Sequence, residues 1–191
     1  MWETRFALFA TAVGCCGIAW NARGIAGVQL PERRDSATRV RLQRRYPDAR
    51  EATPPDHVQQ AVDGIVALLS GEARDLSAIT LDLAGVPPFH RKVYAVARTI
   101  PAGATLSYGD IATRLGDSSA AREVGEAMGR NPFPIIVPCH RVLAAGGRIG
   151  GFSATGGVTT KLRLLEIEGA QVGDAPTLFE TLPLLVRPGR R

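Results

Sequence analysis

A chain of 191 residues with 45% apolar content is long enough for one large domain or two small ones, and its composition is that of an ordinary soluble globular protein. The formal net charge of +5 is unevenly placed, because residues 1 to 88 hold ten basic and ten acidic side chains and the excess, 13 basic against 8 acidic, lies beyond them. A basic second half suggests an anionic partner such as nucleic acid, although a charge of this size also serves solubility.

The start, Met1 to Gly17, does not read as a signal peptide: Glu3 and Arg5 cancel, which leaves no basic leader, and apolar residues run on through Ile18-Ala19-Trp20. The run is also too short and too polar to span a membrane, which takes about 20 apolar residues. Phe6 to Val13, Cys15 to Trp20 and Gly24 to Leu30 read as short strands, the last two joined by a turn at Asn21-Ala22-Arg23-Gly24, and together they make a β-meander. Cys15 and Cys16 pack as small residues facing opposite ways from one strand. The three cysteines form no disulfide framework, and no Cys/His spacing suits a zinc ion, so a reducing compartment, the cytoplasm, is expected. Arg33 to Arg45 predicts a helix with six arginines, read as a solvated surface helix rather than a DNA-binding one. Pro54 to Leu69 predicts a second helix, with Val58, Val62, Ile65 and Leu69 at helical spacing and Gly71 as its C-cap.

Leu83 to Pro88, with Gly85, Pro87 and Pro88, reads as a linker, which divides the chain into residues 1–86, residues 87–170 and a weakly ordered, basic-ended tail at 171–191. Beyond the linker, Phe89, Val93, Val96 and Ile100 mark an amphipathic helix stopped by Pro101 and Gly103. Tyr108, Ile111, Ala112 and Leu115 mark another, closed by Gly116, and a third runs from about Ser119 to Met128 with Ser118 or Ser119 as N-cap. Two short helices around a tight turn outline a helix-turn-helix. A last helix, Val158 to Ile167, is expected to bury Leu162 and Leu165 and to end near Gly169.

Between these helices, Pro132-Phe133-Pro134-Ile135-Ile136-Val137 leads into Pro138-Cys139-His140-Arg141-Val142. Prolines restrict both themselves and the residues before them, so the position of the Cys139 sulfur is largely settled by the chain. A free thiol with a pKa of about 8.5 becomes reactive when a neighbouring imidazole or cation lowers that value, and His140 is adjacent. In an extended chain, however, neighbouring side chains diverge, so His140 would not bond the sulfur directly. Taken singly, Cys139 would read as a small buried hydrophobe, Glu168 as a surface charge near a helix end, Arg122 as a solvated helix residue and Tyr108 as a core edge.

Asn131 through Val142 (NPFPIIVPCHRV), together with Ser107-Tyr108-Gly109, Ala121-Arg122-Glu123-Val124-Gly125 and Glu166-Ile167-Glu168-Gly169, resembles the alkylguanine-DNA alkyltransferases, closely from about Phe89 to Ala170 and loosely before that. The resemblance implies an α/β, ribonuclease-H-like N-terminal domain and a mainly helical, winged-helix-like C-terminal domain carrying the helix-turn-helix. It implies single-turnover transfer of an alkyl group from O6-alkylguanine, and from O4-alkylthymine, to Cys139, with no cofactor and no metal. The partner is double-stranded DNA; no membrane is involved and a monomer is expected. In the family the histidine takes the thiol proton through a bound water while a glutamate on the last helix holds the imidazole, and the matching positions are His140 and Glu168. Tyr108 matches a tyrosine that assists base extrusion and proton donation, and Arg122 matches an arginine that fills the vacated stack. Ala120 and Ala121 match small residues that let the helix approach the minor groove. Asn131 matches the hinge between recognition helix and active-site strand, Met128 and Pro134 match pocket walls, and Ser153 matches a hydroxyl that bonds O6. Two features depart from the family pattern: Gly150 to Gly157 is two residues longer, and Phe152 stands where a tyrosine is common.

Three other functions use the same features. A non-catalytic lesion-binding relative would have Cys139 replaced, a helix-turn-helix transcription regulator would have no use for pocket residues, and a Cys-His-Asn hydrolase would place its histidine far from the cysteine in sequence.

Overall fold

The computed structural model describes residues 3–170, so the expected tail at 171–191 lies outside the described residues. The chain begins as the predicted meander: β1 (Arg5–Thr11), β2 (Gly14–Asn21) and β3 (Gly24–Gln29) are antiparallel, with Phe6 opposite Ala19 and Ile18 opposite Val28. Cys16 faces the core at 0% exposure while Cys15 is half-buried, as alternation requires. Helix α1 (Asp35–Arg45) follows, and a two-residue strand β4 (Arg50–Glu51) then adds to β1 in parallel, giving a mixed sheet of order β3-β2-β1-β4. Helix α2 (Asp56–Leu69) buries Val58, Val62, Ile65 and Leu69, as their spacing predicts, and also Ala61 and Leu68. This part of the chain is therefore α/β.

The second part is mainly helical. Helix α3 (Pro88–Ala97) starts with a proline in its first turn, where the missing N–H costs no hydrogen bond. Strand β5 (Leu106–Ser107) leads into α4 (Tyr108–Arg114), whose start is a reciprocal capping box between Ser107 and Asp110. Gly116 takes φ +87° in the turn, a 3₁₀ segment covers Ser118–Ala120, and α5 (Ala121–Gly129) completes the helix pair. The cap expected from Ser118 or Ser119 is not made: Asp117 caps the 3₁₀ segment by accepting from the Ser119 N–H at 3.0 Å, and Ala120, the N-cap of α5, makes no side-chain hydrogen bond. Strand β6 (Val142–Leu143) pairs in parallel with β5, and α6 (Val158–Ile167) closes the fold. On α6 the buried residues are Lys161, Leu164 and Leu165, whereas the expected Leu162 is only half-buried.

A single apolar cluster runs from Cys16, Ile18 and Ile25 through Leu68 and Val93 to Val124, Phe133 and Cys139, crossing the expected linker. The free edge of β3 makes a second connection. Its Ile25 N–H donates to Thr80 O at 2.9 Å, and its Val28 N–H donates to Pro132 O at 2.9 Å, so the sheet edge is capped partly by the segment that carries the Pro-Cys-His sequence. Gly27 makes this approach possible, since a Cβ there would lie 2.2 Å from the Tyr46 hydroxyl and 3.1 Å from Pro132 O.

Candidate active site

The segment after α5 is shaped by its own backbone. Asn131 accepts from the Phe133 N–H through Oδ1 at 2.9 Å and donates through Nδ2 to Val137 O at 2.8 Å. Val137 N–H donates to Phe133 O at 2.8 Å, and between them Ile135 takes φ +75°, a left-handed conformation that costs a β-branched residue about 1–2 kcal/mol. Pro138, at φ −78° and ψ 67°, is the centre of an inverse γ-turn in which the Cys139 N–H donates to Val137 O at 2.8 Å. Asn131 and Cys139 therefore share one acceptor.

Cys139, His140 and Arg141 form a 3₁₀ turn rather than the expected extended strand. The turn lets Cys139, 9% exposed, face a cavity while His140, at 0%, enters the interior. His140 Nε2 lies 2.9 Å from Glu168 Oε1. Glu168 is the C-cap of α6 but is not the surface charge its sequence position suggests, because its side chain is 1% exposed and Arg141 grips both of its oxygens at 2.8 and 2.7 Å. Arg141 also donates to Ile100 O at 2.5 Å.

The protonation pattern follows from these contacts. Burial works against the Glu168 charge, yet the hydrogen bonds from His140 and Arg141 outweigh it and bring the pKa down to about 2, so the group is a carboxylate. A carboxylate only accepts, which places the imidazole proton on Nε2. Burial holds the His140 pKa below its ordinary value, so the ring is neutral and Nδ1 keeps its lone pair; that atom is buried and has no hydrogen-bond partner among the described residues. The Cys139 thiol departs from the sequence expectation. Burial dominates and raises its pKa, while Asn131, the charge of Lys161 and the backbone N–H groups of Cys139 and His140 pull the other way. At rest the sulfur is a thiol facing an array of groups that favour its anion.

Lys161 and Arg141 are functional candidates that reading by residue type passes over. Lys161 is fully buried, donates to Val142 O at 2.6 Å and lies 6.0 Å from the centre of the Tyr108 ring; burial lowers its pKa to about 8. A buried lysine on an otherwise apolar helix face is invisible to hydropathy patterns.

The cavity at Cys139 has a volume of about 420 Å³ and is lined by Tyr108, Gly125, Met128, Gly129, Cys139, Gly151, Phe152 and Ser153. Tyr108, Met128, Phe152 and Ser153 are thus brought together with the cysteine, and burial keeps the Tyr108 hydroxyl protonated by raising its pKa. Pro134 is half-buried in the loop and does not line the cavity. Gly125, Met128 and Gly129, at i, i+3 and i+4, form one face of α5, a spacing that could have revealed the two glycines. Arg122 is exposed near the start of α5 and Ala121 beside it is half-buried, whereas Ala120 is 3% exposed and packs in the core, which withdraws it from the set facing solvent. Among the described residues, no cluster of His, Cys, Asp and Glu could hold a metal ion.

Residues 88–170 match the family model described as the 6-O-methylguanine DNA methyltransferase DNA-binding domain. The chain is 35% identical to a methylated-DNA–protein-cysteine methyltransferase of Methanothermobacter thermautotrophicus, covering 82% of this chain and 80% of that protein. It is 41% identical to one of Mycobacterium tuberculosis, covering 73% and 83%. Among solved structures, the M. tuberculosis O6-methylguanine methyltransferase superposes with TM-score 0.69 at 32% identity, over 93% of this chain and 99% of the other. The M. tuberculosis OGT in complex with DNA gives TM-score 0.66 at 33% identity, over 86% and 92%.

Proposed function

The chain belongs to the methylated-DNA–protein-cysteine methyltransferase family, and on that premise we propose that Cys139 is the residue that accepts the alkyl group, from O6-alkylguanine and O4-alkylthymine in double-stranded DNA. The protein repairs DNA by alkyl transfer. The reading takes residues 1–86 as ribonuclease-H-like and 87–170 as a winged-helix-like catalytic and DNA-binding domain, acting as a monomer.

The observation that carries the assignment is the neutral His140 held through Nε2 by an ionised Glu168, with Nδ1 buried and without a hydrogen-bond partner among the described residues, beside the Cys139 turn. Attack at the alkyl carbon forms the S–C bond as the bond from carbon to O6 breaks. The thiol proton passes to Nδ1, which a bound water can bridge, and the resulting imidazolium is stabilised by Glu168. Tyr108, kept protonated by burial, supplies a proton to the departing base and regains one from the imidazolium through solvent, so the net transfer is from thiol to guanine. Asn131 and the charge of Lys161 stabilise the sulfur anion as it forms. Nothing cleaves the resulting thioether to regenerate the thiol, so each molecule reacts once.

The base must leave the duplex to reach the sulfur. Exposed Arg122, near the start of α5, fills the gap, and α5 presents Gly125, Met128 and Gly129 to the extruded base. Incubation with an oligonucleotide carrying O6-methylguanine, followed by peptide mass measurement, tests the assignment. One methyl group per molecule on Cys139, and none in Cys139→Ser with DNA binding preserved, is expected. Repeated turnover, or full activity in Cys139→Ser, overturns it.

A further inference from the structure

The cavity wall opposite α5 is carried by residues 148–157, a stretch with little backbone to hold it. Gly150, Gly156 and Gly157 take φ of +69°, +86° and +52°, and among the described residues 149–153 make no backbone hydrogen bond. Phe152 and Ala154 pack against the apolar core, the Ala154 carbonyl accepts from the Gly157 N–H at 2.9 Å, and the polar anchor of the stretch is Thr155, two residues beyond Ser153. Its carbonyl accepts from Thr160 Oγ1 at 2.6 Å, and its hydroxyl donates to the carboxylate of Glu32, in the turn between β3 and α1.

Glu32 is itself held in place. Its N–H donates to the fully buried Thr38 hydroxyl at 2.9 Å, and its carboxylate, on a side chain 13% exposed, pairs with Arg41 at 2.9 Å. The N-terminal sheet and α1 thus reach across to the pocket wall through one charge-assisted hydrogen bond.

We propose that Glu32, acting through Thr155, determines substrate specificity: it sets how far the Phe152–Ser153 wall stands from Cys139, and so how large an alkyl group the cavity admits. The proposal rests on the alkyltransferase reading. A methyl group needs only the space at the sulfur, whereas a benzyl group also needs the wall to yield. A hydrogen bond to a charged acceptor changes a local equilibrium by roughly tenfold or more, so its loss should favour the bulky substrate by about that factor.

The test compares single-turnover rates on one duplex sequence carrying either O6-methylguanine or O6-benzylguanine. Thr155→Val and Glu32→Ala are each expected to raise the benzyl-to-methyl rate ratio about tenfold, the double variant no further, and Thr155→Ser to keep the wild-type ratio. Thr155→Val alone decides the matter if Glu32→Ala does not fold. Wild-type protein that leaves Cys139 unmodified by either DNA overturns the alkyltransferase reading. Wild-type transfer with an unchanged ratio in Thr155→Val, equal slowing of both substrates, or additive effects in the double variant overturns the role of Glu32 while leaving that reading intact.

Discussion

Glu168 contacts His140 at Nε2, 2.9 Å away, and so decides the chemistry of the other ring nitrogen. With its proton held on Nε2, the imidazole offers Nδ1 as a base, and the same carboxylate is locked by Arg141 through two further hydrogen bonds. One acidic side chain thus orients the base and neutralises a buried guanidinium.

Glu168→Gln separates these roles. The amide can still accept from Nε2–H, but the charge that stabilises an imidazolium is gone, and transfer should slow about hundredfold, within the range general-base catalysis contributes. Arg141 would be left buried and uncompensated at a cost of about 3 kcal/mol, near the lower end for breaking a buried pair. For a chain of this size that is a fall in melting temperature of about 6–12 °C. Single-turnover rates and thermal melts measure both.

Acid should weaken the fold in two windows. The folded pKa of His140 lies below its unfolded value of 6.5, so the unfolded chain takes up the proton first, and stability present above pH 6.5 is lost as the pH falls below it. Glu168 shifts from 4.5 to about 2, so its contribution is present above pH 4.5 and is lost on the way down to about 2. Thermal melts from pH 8 to pH 3 should show both declines, and His140→Gln should lack the upper one. The transfer rate of the wild type should hold to below pH 6.5.

Lys161→Met removes the one cation among the described residues whose charge lowers the Cys139 pKa, while keeping an unbranched side chain in the same interior site. Reaction of Cys139 at pH 7 should slow by about tenfold, because a smaller share of the sulfur is thiolate. The pKa of Cys139, read from the pH dependence of alkylation by a small thiol reagent, should rise. An unchanged thiol pKa in a folded variant would restrict Lys161 to its hydrogen bond with Val142 O.

Arg122→Ala should slow repair of duplex DNA far more than reaction with free O6-benzylguanine, because only the duplex incurs an unstacking cost of a few kcal/mol. Equal slowing of both reactions would place the effect of Arg122 in folding.

The strands β1 to β3 and the helices were legible because alternation and helical spacing extend over many residues. Strands of two residues have no period, so β4 and the β5–β6 pair left no trace in the sequence, although β5–β6 positions the turn that starts at Cys139. The residues that the structure brings together, Cys139, His140 and Glu168 above all, could be singled out by type in the sequence, but the electrostatics of the candidate site could not. Burial reverses the expected direction of the thiol shift, and it places Arg141 and Lys161 in the interior, where the sequence patterns did not single them out. Ala120 shows the same limit, since its burial depends on the 3₁₀ segment before α5.

The hydrogen bond from Val28 to Pro132 bears on how this protein can be re-engineered. Residues 87–170 grafted onto a foreign partner, or expressed alone, would lose the sheet edge that caps the proline-rich loop just where Ile135 is held in an unfavourable conformation. Relaxation of that loop would move the sulfur before any catalytic residue was changed. Chimeras should therefore exchange β3 and residues 131–138 together, treating the two segments as one inherited unit although more than a hundred residues separate them along the chain.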